Sequence, residues 1–216
     1  MKTKFYIIII LFLLSFANAD KTKVLCTTFP IYQITRNVTN GYDNMEVKLM
    51  LPADLGCPHN YIVTPDDIRA LTQIDVVVIN GLGLDEFIIN LIEKIGSKSK
   101  IIDSSDGINE ILKYESGDAN PHLFTSPSMI AKLSINIASK LTSVAPKGSK
   151  IFLKNAQIYA NKMEKLAKEL KLLGKNLKNN RIVCEHGACD YFALDMGIDI
   201  VTKIQAHDGE QPSAIE

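Results

Sequence analysis

The sequence predicts an α/β protein: a first lobe built on a parallel sheet, a long helix, and then a second, incomplete β/α lobe. Three observations carry this reading. Between Lys23 and Leu112 short apolar runs alternate with helix-length stretches, the pattern of strands joined by right-handed crossovers. From Phe152 to Leu177 apolar residues recur at alternating intervals of four and three, which lays one stripe down about seven turns of helix. From Arg181 the β/α pattern resumes, but two strands alone make a lobe that is hard to stabilise.

Taken in order, Lys23–Thr27 reads as a strand, and Pro30 opens a helix that runs through Val38 and stops near Gly41. Glu46–Leu51 is a second strand. The loop Gly56-Cys57-Pro58-His59-Asn60-Tyr61 follows, in which Pro58 fixes its own φ and restricts Cys57, so the chain enters His59 with little freedom. Thr64 then has the chemistry of an N-cap, with Pro65 at N1 and Asp67 at N3 beside the positive end of the helix dipole. Val76–Asn80 is a continuous β-branched run, as in a strand buried on both faces. Gly81-Leu82-Gly83 turns into a helix from Asp85 to Ile95, and Lys100–Asp103 is a fourth strand. The two glycines do not make a dinucleotide fingerprint, because Glu86 stands at its third glycine position.

The segment Asn120-Pro121-His122-Leu123-Phe124-Thr125-Ser126-Pro127 repeats the logic of the earlier loop: a proline stiffens the approach to a histidine, and Ser126 with Pro127 caps the next helix. The long stripe then suits either a coiled-coil seam or a helix lying against a body on one side, and the β/α pattern that follows favours the second. Arg181–Glu185 is a strand with His186 at its carboxyl end, where ligands bind in open α/β sheets. A helix from Asp190 to Met196 and a strand Asp199–Ile204 come next. His207 follows, and Pro212-Ser213 has the look of another helix start.

Composition narrows the function classes. Lys2 and Lys4, the apolar run Phe5 to Phe16 and Ala17-Asn18-Ala19 form a secretory signal over residues 1–19, too short and wrongly flanked for a membrane span. No cysteine follows the cleavage site, so a lipid anchor is not indicated. Removal of the signal leaves 22 basic against 24 acidic residues, a formal charge of −2, which argues against nucleic acid as a partner. The mature protein is expected to be exported, periplasmic in a Gram-negative source, without an integral membrane span, and monomeric. Cys26, Cys57, Cys184 and Cys189 therefore reach an oxidising compartment, where they allow three pairings or none. Cys57 and Cys184 each stand two residues before a histidine.

His59, His122 and His186 share comparable placement. Neutral imidazole suits zinc and other first-row metals, whereas manganese draws more on carboxylate and carbonyl oxygen. Their spacing matches no zinc-finger pattern, and spacing alone favours solvated loop histidines over a shared metal site. The segments TTFPIYQIT, LPADLGCPHNYIVTPDDIRAL, DVVVINGLGLDEF, NPHLFTSP, the long helix and EHGACDYFALDMGIDIV together resemble the cluster 9 metal-binding subunits of bacterial ABC importers, which deliver zinc or manganese. The resemblance covers essentially the whole mature chain. It implies two β/α lobes with mainly parallel sheets, spanning residues 20–145 and 181–216, joined by one rigid helix at 146–180, with metal in the cleft between them.

Carried over by position, His59, His122 and His186 match three metal ligands, and histidine at the third points to Zn²⁺ rather than Mn²⁺. NPHLFTSP departs from the family's usual aromatic and aspartate after the histidine, and the histidine-rich acidic loop of some zinc members is absent. The family's fourth ligand, a carboxylate, comes from later in the second lobe than Glu216, so the chain reads as C-terminally truncated, with the metal held either by the three histidines and water in the open position or with His207 or Asp208 as a substitute ligand. The function implied is a non-enzymatic binding protein that captures zinc and delivers it to the membrane permease of an ABC importer. The other readings are a manganese-binding member, a non-functional truncated product, and a secreted zinc hydrolase using Glu185, Asp208 or Glu210 as general base.

Overall fold

The computed structural model describes residues 21–55, 58 and 61–204. The signal segment, Cys57, His59, His207, Asp208, Glu210 and the helix start at Pro212 lie outside the described residues.

Four strands form the first sheet: β1 (Thr22–Cys26), β2 (Met45–Leu49), β3 (Val76–Ile79) and β4 (Lys100–Asp103), in the order β2-β1-β3-β4. Every pairing is parallel, with Val24 opposite Val47 and Val76, and Val78 opposite Ile102. The alternation of side chains along a strand divides this sheet into two faces. Val24, Cys26, Val76 and Val78 point to one core, which is completed by α1 (Phe29–Thr39), α4 (Pro127–Val144) and the start of α5 (Ser149–Lys175). Leu25, Val77 and Ile79 point to the other, with Leu71 of α2 (Pro65–Leu71) and Ile88 and Ile92 of α3 (Glu86–Lys94). All four β3 side chains are buried, as the unbroken β-branched run requires of a strand covered on both faces.

The helix starts follow the sequence chemistry. Thr64 and Asp67 form a reciprocal capping box, and the Ser126 hydroxyl accepts from the Met129 N–H, each worth about 1 kcal/mol. The turn after β3 needs Gly81, whose φ is +87° and whose Cβ position would overlap the Asp103 carboxylate. That turn is tied down by Asp85, whose carboxylate accepts from the Thr27 hydroxyl at 2.5 Å, Asn80 N–H at 2.6 Å and Gly81 N–H at 3.0 Å.

The apolar stripe of α5 divides along its length. Phe152 and Ala156 are fully buried against α1 and α4, with Ala160 close behind. Leu166 is 40% and Leu173 58% exposed, and Leu177 lies beyond the helix end. One periodic stripe thus meets a covered body only over its first half, and the second half is engaged at Gly174, where a Cβ would overlap the backbone carbonyl of Met196. After α5, β5 (Arg181–Cys184) and β6 (Asp199–Lys203) pair in parallel around α6 (Asp190–Met196). Val183 and Val201 of this two-stranded sheet are exposed.

Candidate metal centre

His122 stands at the start of a short 3-10 turn, Leu123–Thr125, and is only 3% exposed. Asn120 sets its orientation. The Asn120 Oδ1 accepts from the His122 backbone N–H at 3.0 Å, an Asx-type closure two residues along the chain, and lies 3.0 Å from His122 Nδ1. Because an amide oxygen only accepts, Nδ1 carries the proton and the lone pair of the neutral ring is on Nε2. The Tyr114 hydroxyl lies 3.3 Å from the same Nδ1, and Phe124 packs edge-on against the ring at 5.8 Å between centroids. Anchoring one ring nitrogen on an acceptor so that the other faces a ligand is the arrangement of metal-binding histidines.

His186 follows β5 and precedes the 3-10 turn Gly187–Cys189. It is half-buried, and its ring centroid is 5.3 Å from that of His122. Two imidazoles on one tetrahedral metal, with metal–nitrogen bonds of about 2.0–2.1 Å, place their centroids roughly 5 Å apart. The structure therefore brings together two of the three histidines singled out in the sequence. The third, His59, lies outside the described residues, but its neighbour Pro58 lines a small apolar pocket with Thr28, Phe29, Leu51 and Phe124, and Phe124 touches the His122 ring. Among the described residues no group of three histidine, cysteine or acidic side chains converges as a ready-made cation site.

The halves of the chain are joined around these rings. The Asn120 amide donates to the Gly187 carbonyl at 2.8 Å and to the Asp190 carboxylate at 3.0 Å, and Lys203 adds an ion pair to the same carboxylate oxygen at 2.7 Å. The Tyr191 hydroxyl donates to the Asn120 carbonyl and accepts from the Leu112 N–H, both at 2.9 Å. Gly187 allows this close approach, since a Cβ there would overlap the Tyr114 ring and crowd the Asn120 amide. Further along, the Asp195 carboxylate of α6 accepts from the Ser126 hydroxyl at 2.6 Å and the Ser128 N–H at 2.9 Å, placing negative charge at the start of α4.

Sequence reasoning singled out His122 and His186 but gave no role to Asn120, Tyr114, Asp190 or Asp195. For Asn120 a signal was present, because asparagine two residues before a histidine can close an Asx turn on it. The others act across long sequence separations that no local pattern exposes. Glu185, a candidate general base, is exposed.

Comparison with known proteins gives relatives by sequence and by fold. The high-affinity zinc uptake system protein ZnuA of Bacillus subtilis is 25% identical over 212 residues, covering 92% of this chain and 66% of its own length. The manganese ABC transporter substrate-binding lipoprotein PsaA of Streptococcus pneumoniae is 26% identical over 141 residues, 61% of this chain and 44% of its own. The chain thus spans about two thirds or less of these two relatives. A crystal structure of ZnuA superposes with a TM-score of 0.79 at 25% identity, covering 91% of this chain and 74% of that one. The Ni²⁺ complex of FpvC from Pseudomonas aeruginosa does so at 0.78 and 27%, covering 91% and 71%. The family described as zinc-uptake complex component A, periplasmic, matches over residues 24–216, and the chain belongs to that family.

Proposed function

We propose that this protein captures Zn²⁺ through His59, His122 and His186 and passes it to the permease of an ABC importer, without catalysing a reaction. The observation that carries the reading is the approach of the His122 and His186 rings to 5.3 Å, with His122 Nδ1 anchored on Asn120. The names of the relatives support metal capture, and an all-imidazole set favours zinc over manganese. Residues 20–145 and 181–216 act as two lobes on either side of the ion, with 146–180 as the helix between them. The signal over residues 1–19 directs the protein out of the cytoplasm, where it works as a monomer. Among the described residues no helix is long and apolar enough to cross a membrane.

The test is zinc retention after equilibrium dialysis, with affinity from competition against a chromophoric chelator. His59→Ala, His122→Ala and His186→Ala should each weaken binding at least as much as the roughly 10- to 100-fold cost of removing a ligand's hydrogen-bond partner. Affinity should also fall in acid, because protons compete with the metal for its ligands. Wild type and His122→Ala retaining zinc equally would sink the proposal.

A further inference from the structure

Positive charge is gathered on α5. The helix has seven lysines against Glu164 and Glu169, a net +5 in a mature chain of −2, which leaves −7 everywhere else. Five of these lysines fall in one line. Lys150, Lys154, Ile158, Asn161, Lys165, Lys168, Leu172 and Lys175 follow one another at intervals of four or three, the spacing of the buried stripe, but rotated to the far side of the helix from Phe152, Ala156 and Gly174. At 3.6 residues per turn the eight keep within an arc of about 100° and a length of roughly 38 Å. All are exposed, Ile158 by 46% and Leu172 by 60%. Glu164 and Glu169 lie beside the line rather than in it.

A face that meets only water mixes the two signs of charge, with glutamate placed four residues before lysine. Here Lys150 and Lys154, and again Lys165 and Lys168, set like charges one turn apart, which works against the helix. Among the described residues only Lys165 of the five has an ion-pair partner, Glu169 at 3.6 Å.

We infer that this outward line of α5 is a docking surface for an anionic lipid bilayer, on which the helix lies flat. Charge complementarity selects a polyanion. The unbroken helix and the two aliphatic side chains select lipid among polyanions: lysine reaches headgroups on its long stem, while Ile158 and Leu172 face the acyl boundary. No arginine or aromatic side chain stands in the line to grip a phosphodiester with two hydrogen bonds or to stack on a base. Adsorption is peripheral, because Phe152 and Ala156 hold α5 to the first lobe. Binding of this kind is reversible and salt-sensitive. It would keep a protein that serves a membrane importer close to that membrane. This consequence rests on the proposed function, whereas the binding does not, since no residue of the line is a proposed zinc ligand.

The experiment sediments the full mature chain with vesicles of phosphatidylcholine alone or mixed in equal parts with phosphatidylglycerol. Wild type should bind the phosphatidylglycerol vesicles about tenfold tighter or more at about 50 mM salt, and lose most of that preference by about 300 mM. Lys154→Gln/Lys165→Gln/Lys168→Gln/Lys175→Gln should bind about tenfold more weakly or worse, since each lysine near an anionic surface is worth about fivefold. Lys21→Gln/Lys94→Gln/Lys98→Gln/Lys100→Gln removes the same charge from exposed lysines of the first lobe and should stay within about twofold of wild type. The chain has no tryptophan, so Leu172→Trp is a single reporter in an otherwise wild-type protein, and its emission should shift to the blue on phosphatidylglycerol vesicles. Equal losses in the two glutamine variants, binding indifferent to phosphatidylglycerol or salt, or unshifted emission overturns the proposal. So does binding to polyglutamate as tight as to the vesicles, which would make α5 a general polyanion surface. Zinc plays no part in any of these measurements, so they stand or fall apart from the metal reading.

Discussion

Asn120 uses its whole side chain: Oδ1 holds His122, and the amide NH₂ reaches Gly187 and Asp190. Asn120→Ala should lower zinc affinity by about 10- to 100-fold while leaving the circular dichroism spectrum intact. Asn120→Asp, which keeps the acceptor but sets a carboxylate against Asp190, should recover little of that loss. Equal affinity in all three proteins would remove Asn120 from the site. Asp85 makes a different prediction. Burial raises its pKa, the three donors from Thr27, Asn80 and Gly81 pull it back in part, and the nearby Asp103 carboxylate adds to the rise. A carboxyl whose folded pKa is raised contributes stability that is present below its unfolded pKa and is lost as pH rises through the folded one. Asp85→Asn turns a donor on groups that themselves donate, and should cost about 1–3 kcal/mol. The gap between wild type and variant in urea unfolding should narrow from the acidic range towards neutrality, and a widening gap would contradict the raised pKa.

The elements show where local chemistry was legible and where it was not. Thr64-Pro65 and Ser126-Pro127 mark helix starts because a cap and a fixed φ act within a few residues, and both stand where the sequence places them. The β-branched run of β3 announces a strand covered on both faces, since β-branched residues favour strands and four consecutive buried side chains on alternating sides need cover on both. The α5 stripe was legible as a helix but not in its burial, because periodicity states which face is apolar and not what lies opposite. Phe152→Asp should therefore unfold the protein or cost several kcal/mol, as an unpaired charge enters the core. Leu166→Asp, on a surface 40% exposed, should change stability by about 0.5 kcal/mol or less. Chemical denaturation of both decides it, and comparable losses would mean that the second half of α5 is covered as firmly as the first. His122 and His186 were legible as individual residues, whereas their meeting depends on Asn120, Tyr191 and Asp195 joining segments distant in sequence.

Over the whole molecule stability is uneven. The first sheet has helices on both faces, whereas β5 and β6 leave Val183, Val201 and nearby Ile204 exposed, with Val183 at 55%. Amide exchange should accordingly be faster in β5 and β6 than in β1 and β3, by a margin that reads local opening of the second unit. Protection equal to that of the first sheet would show the two to be one cooperative body. Against that background, the contact between His122 and His186 has a further consequence. The two rings belong to segments separated by the whole of α4 and α5, so an ion gripping both would pin two distant points of the chain together. It would act as a removable cross-link whose loop-closure entropy is charged to the unfolded chain. A bound ion would then govern how long the weaker half stays folded, and its release would be the moment at which that half is freest to open.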